Sequence, residues 1–483
     1  MTTTNHPTQY KGWRTLALPT ALSLVLAACA STPYTAPAFN MPAQFKEAPA
    51  GWKNAEPADT ATRGLVWQSF GDAQLDALIA KVDTANENLH VAEAHWRQAA
   101  ALGRQARAAL FPTLGAGASD SRGTTGSSAK TSIANTVQAD LSANWEVDLW
   151  GRLHNLSDAQ TATAQASLAD VANTRLSLEA ELASDYFALR VADAQQALLN
   201  ASVAAYADSL ALTRNRYAAG VAAQSEVTLA ETQWLSAQTQ AEDLSINRAQ
   251  LEHVIAVLVG QAPADFSLPV AKQDHPSAML PMQLPALPVS LPSSLLERRP
   301  DIAASERQVA AANASIGAAR AALFPALTLS ADGGYRNTGL GDLFGIANRF
   351  WSLGPSLAMT IFDAGAKQAG IAQAQASYDA TVANYRQTVL NALQNVEDQL
   401  VALRVLGNET VLQAQATRAS AQTVALTLNQ YRAGTVPYLN VLTAQVTDQN
   451  AQRNALDIKG RQLAASVQLI KALGGGWQVD SGK

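Results

Sequence analysis

The sequence predicts an α+β membrane protein: four β-strands per chain enter a shared transmembrane β-barrel, long α-helices continue it, and the whole plan is written twice. Three observations carry this. Residues 137–147, VQADLSANWEV, alternate apolar and polar over eleven residues without a slip. A strand of a soluble sheet runs about 5–6 residues, whereas one that crosses a bilayer in a closed barrel needs about 9–11, with lipid-facing and lumen-facing side chains alternating. Between Gly151 and Gly220 there is neither Gly nor Pro, so an unbroken helix of about 100 Å is open to the chain. Finally, landmarks of the first half recur in the same order in the second.

The bulk composition sets the limits. The chain has 483 residues, 48% hydrophobic and 15% charged, with a net charge of −5; that balance argues against a nucleic-acid surface. No run of 18 apolar residues marks a spanning helix. A mean hydropathy of −0.03 is no argument against a barrel, because alternation averages a membrane strand to near zero.

At the N-terminus, Lys11 and Arg14 precede LALPTALSLVLAA (16–28), an apolar core of signal-peptide length that is too short to span. It ends in LAAC (26–29), the bacterial lipobox pattern, in which Cys29 accepts a diacylglycerol and, once cleavage has freed its amine, an acyl group. These lipids are the only additions expected; no separate cofactor is. Cys29 is the only cysteine and cannot form an internal disulfide. Ala30 follows it, not the Asp that signals inner-membrane retention, so the outer membrane is expected. Loss of residues 1–28 removes two cations and no acid, taking the charge from −5 to about −7.

The elements follow in order. A helical segment is expected over 72–109, ended by Pro112. Strands are expected at TLGAGAS (113–119) and VQADLSANWEV, joined by the polar SRGTTGSSAKTS. A long helix then runs to Gly220, and a second from Val221 to Val259. The Pro-rich stretch 268–292 is a linker. The second half repeats the grammar: a helix at 301–322 ended by Pro325, strands at 327–335 and 351–361, then helices at 366–432 and 438–473. Pro355 weakens the fourth strand, and Gly370, Gly407 and Gly460 make these helices less uniform. RAALFPTL (107–114) recurs as RAALFPAL (320–327), NRYAAG (215–220) as NQYRAG (429–434), and WEVDLWGR (145–152) more weakly as TIFDAGAK (360–367), with Asp148 matching Asp363 and Glu93 matching Glu306. The expected organisation is thus a signal peptide at 1–28, a lipid-anchored segment at 29–66, repeats at 67–265 and 293–475 around a linker at 266–292, and a tail at 476–483.

Four strands cannot close a barrel, and open edges are not tolerated in lipid. Copies must share one: two give eight strands, three twelve, four sixteen. Catalytic chemistry finds no support. There is no GxxxxGK[ST], HExxH or GxSxG. His90 and His95 are five apart and share a helix face poorly, and one Cys with five Met offers no dedicated soft-metal route. No catalytic residue and no metal site is expected.

These residues resemble the TolC-type outer-membrane factors, in the NodT-like efflux lipoprotein branch. WQSFGDAQLDALI (67–79) resembles the family's opening helix, LLERRPDI (295–302) the start of its second half, the two ALFP motifs its helix-to-strand junctions, and EVDLWGR (146–152) its strand-to-helix return. The resemblance runs from about Trp67 to Leu473. It implies a homotrimer with a twelve-strand barrel, a periplasmic α-helical barrel, and docking to a periplasmic adaptor (membrane fusion) protein and an inner-membrane pump, usually of the resistance-nodulation-division type. It also implies that the turns NRYAAGVAAQSEV (215–227) and NQYRAGTVPYLNV (429–441) close the periplasmic mouth and meet the adaptor, with Arg216, Tyr217, Gly220, Tyr431, Arg432 and Gly434 fitting the motif. Where several relatives carry Asp on the second tip, this chain has Asn440 and Thr443. Ser225 and Glu226 match a polar–acidic pair on the first tip, leaving Glu226 as the acidic candidate. Closure here is therefore expected to rest on packing and neutral hydrogen bonds more than on charge. The favoured reading is a passive efflux duct. A type I protein secretion duct shares the fold, and a poreless lipid-anchored coiled-coil scaffold would leave the alternating stretches outside the membrane.

Overall fold

The computed structural model describes residues 34–42, 44–47, 63–125, 132–270 and 298–475. Cys29, the signal peptide, residues 271–292 of the linker and the tail 476–483 lie outside the described residues. A 3₁₀ turn at Arg63–Phe70 is followed by α1 (Ala73–Ala85), α2 (Glu87–Ala108), β1 (Thr113–Thr125), β2 (Ser132–Val147), α3 (Arg152–Ala218) and α4 (Gln224–Leu258). The second half contains α5 (Pro300–Ala321), β3 (Ala326–Asn337), β4 (Arg349–Ala358), α6 (Ala366–Arg432) and α7 (Tyr438–Ala472). The duplication is kept in length: α2 and α5 both have 22 residues, α3 and α6 both 67, α4 and α7 both 35.

Several boundaries differ from the sequence reading. The single helix expected over 72–109 is two, because Asn86 leaves the helical region (φ −78°, ψ 121°). Its side chain accepts from Leu89 N–H at 3.1 Å and donates to the Leu258 carbonyl at 2.8 Å. Strands β1 and β2 extend through much of the stretch expected as loop. β4 stops at Ala358 rather than Ile361, because the chain turns there into α6 through Ala364 and Gly365, both at positive φ. Gly370, Gly407 and Gly460 interrupt neither helix.

The chain divides into two compact units. One holds 34–38, His95–Leu168 and Ala304–Arg386; the other holds Phe39–Ala94, Ala169–Ala303 and Gln387–Lys483. The first contains an antiparallel sheet of order β1-β2-β3-β4. Its register sorts the alternating stretches. Ala116, Leu141, Gly333 and Trp351 form one cross-strand row, and Leu114, Ala143, Ala331 and Leu353 another on the same face; Trp145, Leu329 and Pro355 continue it. The opposite face carries Gln138 with Arg336, Ser142 with Asp332 and Ser352, and Asn144 with Ser330. One face is apolar and one polar, as a lipid–lumen boundary requires. Leu114, Leu141, Trp351, Leu353 and Leu357 are largely exposed. Pro355 lies on β4, the outermost strand of this four-strand sheet.

All four helices attached to the sheet meet it at one end, since α2 and α5 feed the starts of β1 and β3 while α3 and α6 follow the ends of β2 and β4. The matched acids cap the returns. Asp148 accepts from Leu153 and His154 N–H at 3.1 and 2.8 Å, and Asp363 from Gly365 and Lys367 N–H, both at 3.0 Å. Burial works against the Asp148 carboxylate, but these donors outweigh it and hold the group below its usual range. Gly317 of α5 lies so close to α3 that a Cβ would stand 2.3 Å from Asn155 Oδ1. Among the described residues, no helix is long and apolar enough to cross a membrane.

In the second unit, Asp72 caps α1 by accepting from Gln74 and Leu75 N–H, and accepts the Tyr186 hydroxyl at 2.6 Å. Arg190 and Arg248 both donate to the fully buried Asp193, at 3.0 and 2.8 Å. Their remaining donors hold the carbonyls of Pro269 and Leu268, which pins the start of the linker.

Candidate functional site

The two hairpin turns lie in the second unit. α3 and α6 end alike: Val221 N–H returns to the Arg216 carbonyl at 3.0 Å and Thr435 N–H to that of Gln430 at 3.0 Å. These six-to-one bonds need a left-handed residue after the helix, supplied by Gly220 (φ 73°) and Gly434 (φ 79°).

The turns are alike in backbone and unlike in side chains. Arg216 crosses from the first hairpin to the second. Its Nη1 donates to the Tyr431 carbonyl at 2.7 Å, and its guanidinium stands 4.5 Å from the Tyr431 ring centroid. It thereby supplies a cation to a helix C-terminus, where the dipole is negative. Tyr431 is 1% exposed and donates to Thr213 Oγ1 at 3.2 Å. Its ring packs against Tyr438 at 5.7 Å, in a cluster with Leu210, Val227, Ala230 and Val441. Burial raises the Tyr431 hydroxyl above its usual range, with Glu226 adding to the effect, and burial pushes Tyr438 up to about 12. Deeper in, Gln445 donates to Ser209 at 3.0 Å. The Tyr438 hydroxyl, Arg216 Nε and Gln445 Oε1 are buried without a hydrogen-bond partner.

The sequence-predicted residues therefore separate. Arg216, Tyr431 and Glu226 come together. Tyr217, which matches Tyr431 in the repeat, is 47% exposed, and Arg432 and Ser225 are also exposed. Asn440 and Thr443 are exposed and line a groove of about 320 Å³ between α6 and α7, with Thr423, Thr427, Gln430 and Thr447. No lining residue is charged. Tyr438, Thr213, Ser209 and Gln445 were not singled out from sequence. Tyr438 offered a signal, an aromatic directly after Pro437 at a helix start.

Comparison with known proteins agrees with this fold. The family model described as outer membrane efflux protein matches residues 78–261 and again 291–475, once per repeat. The chain is 32% identical to the antibiotic efflux pump outer membrane protein ArpC of Pseudomonas putida, over 95% of both chains. It is 33% identical to the pyoverdine export outer membrane protein OpmQ of Pseudomonas aeruginosa, over 95% of this chain and 96% of that one. Among solved structures, the outer-membrane channel OprN superposes with a TM-score of 0.86 at 29% identity, covering 93% of this chain and all of that one. VceC of Vibrio cholerae superposes with a TM-score of 0.78 at 27% identity, covering 86% and 99%. With both repeats matched and nearly the full length aligned, the chain belongs to the outer membrane efflux protein family.

Proposed function

We propose that this protein is the outer-membrane duct of a tripartite efflux assembly. It acts as a homotrimer whose twelve strands close one barrel, takes cargo from a periplasmic adaptor and an inner-membrane pump of the resistance-nodulation-division type, and is anchored by acyl chains on Cys29. The observation that carries the reading is the sheet: one apolar face, one polar face, and unpaired edges at β1 and β4. Unpaired edges in lipid must be closed by further copies. The names of relatives such as ArpC and OpmQ support export as its work.

The tips are the gate. Arg216 pins the end of α6 and Tyr431 fills the seam, so the closed state is held by one charge-assisted bond and packing, with neutral Asn440 and Thr443 facing outward. Opening is a population shift, driven by a partner that binds the parted hairpins better than the packed ones. The test is single-channel conductance in planar bilayers, for the wild type beside Arg216→Ala with Tyr431→Ala. Rare, small wild-type currents that grow at least tenfold in open probability in the variant are expected. Equal currents from both proteins, each confirmed as inserted and folded, would remove these residues from the gate. Cys29→Ser is expected to abolish the acyl mass increment, which mass spectrometry reads directly.

A further inference from the structure

The apolar face of the sheet is not uniform. At the end away from the helices, a trough of about 900 Å³ crosses all four strands. Its floor is made of small residues that the register brings together: Ala116, Ala139, Gly333 and Gly334. On the helix side it is bounded by Leu141 and Trp351, 68% and 81% exposed. The β3–β4 loop bounds it on the other side, with Phe344 set edge-on to Tyr335 at 5.3 Å and Ile346 beside it.

Arg349 stands in this trough. It belongs to the cross-strand row Ala118–Ala139–Tyr335–Arg349, on the apolar side of the sheet. The row nearer the loops carries Asp120 and Asn337 beside Val137, so Arg349 marks the edge of the apolar band. Its Nε donates to the Ile346 carbonyl at 3.3 Å, and among the described residues its two Nη groups have no hydrogen-bond partner. Asp342 of the loop does not line the trough; Asp140 does, but its carboxylate accepts from Gln138 at 2.9 Å on the opposite, polar face of the sheet.

We infer that this trough binds a phosphorylated, multiply acylated glycolipid of the outer leaflet: Arg349 takes a headgroup phosphate, and the acyl chains lie over Gly333 between Trp351, Leu141, Phe344 and Ile346. The surface is continuous with the membrane face and lies at its loop end, which in an outer-membrane protein faces the exterior leaflet. A guanidinium whose two Nη groups have no partner among the described residues, beside aromatic rings at headgroup height, suits a phosphate. The width argues for more than two chains, since four strands spaced about 4.8 Å apart span about 14 Å.

The test uses the full-length protein in lipid nanodiscs, with native mass spectrometry of retained lipid. The probes are bis-phosphorylated hexa-acyl lipid A, its dephosphorylated form, and phosphatidylglycerol. Lipid A is expected to bind at least tenfold more tightly than either comparison lipid. Arg349→Gln erases that preference, Arg349→Lys keeps part of it, and Phe344→Ser with Ile346→Ser weakens retention of lipid A itself. Equal retention of the three lipids, or an unchanged preference in Arg349→Gln, overturns the site and leaves ordinary boundary lipid. So does a trough closed to brominated lipid, read as bromine quenching that is the same in the wild type and in Trp351→Phe, since a second copy then fills it. Conductance of the same preparations reports separately on the duct.

Discussion

Glu179 shows what one half-buried side chain can do to the response to pH. It accepts the Trp67 indole N–H at 2.7 Å and sits beside Asp83, which pairs with Arg175 at 3.4 Å. Burial, with the Asp83 charge adding to it, pushes Glu179 up to about 7. The folded state therefore takes up a proton that the unfolded chain releases at ordinary carboxylate pH, and stability falls as pH rises from about 4.5 to about 7. Glu179→Gln keeps an acceptor for Trp67 and offers Asp83 an N–H, as the protonated acid does. It is expected to be near neutral at pH 4.5 and to stabilise by about 1–3 kcal/mol at pH 8, read from denaturant midpoints at the two pH values. A variant that loses stability equally at both would show that the charge, not the proton, is what the site holds. The residue scale was the least legible in the sequence. Tyr217 and Tyr431 occupy matched positions of the repeat, yet only Tyr431 is buried; the pairing with Arg216 depends on which hairpin reaches across, and no local pattern encodes that.

At the scale of elements the repeat explains more. The two turns that open α2 and α5 are built alike: Asn86 donates to the Leu258 carbonyl at 2.8 Å and Arg299 to the Ala472 carbonyl at 2.8 Å. Each closes the C-terminus of the final helix of its own half. This gives LLERRPDI a physical reason, since Arg299 also pairs with Asp301 through two nitrogens at 3.0 and 2.6 Å. The glycines after those helices match as well. A Cβ at Gly260 would stand 2.1 Å from the Ala85 carbonyl oxygen, and one at Gly474 2.3 Å from that of Arg298. Gly474→Ala meets both a left-handed φ of 91° and immovable backbone, so a loss of about 2–4 kcal/mol is expected. Thermal unfolding beside Gly407→Ala, which has open space around it, checks this; equal shifts would sink the argument. Strands and long helices were legible because alternation and Gly-free runs are local signals. The break at Asn86 was not, because an Asn inside a helical pattern reads as surface until the helix that its side chain caps is known.

For the whole molecule, the apolar stripes that one chain leaves exposed on its helices point to contact between copies. On α4, Leu235, Ile246 and Val257 are 49%, 57% and 63% exposed. Their eleven-residue spacing keeps them on one face of a nearly straight helix. On α6, Val405, Leu412 and Leu426 are 40%, 66% and 56% exposed, at heptad spacing suited to helix-on-helix packing. Apolar stripes of this length on a protein that presents its helices to water are contact surfaces, and the open sheet edges already call for further copies. The mixed three- and four-residue steps of Leu in the sequence showed that these helices pack, but not which stripe meets its own chain and which meets another. Ile246→Asp with Leu412→Asp places an acid in each stripe at positions that touch nothing vital within one chain. Burying either charge between copies without a partner costs about 3 kcal/mol or more per site, repeated at every interface of the ring. The variant is expected to run as a folded monomer with wild-type helicity in analytical ultracentrifugation, while Ile246→Ala with Leu412→Ala remains trimeric. A trimeric aspartate variant would place both stripes on water, and the copies would then have to be held by the barrel edges alone.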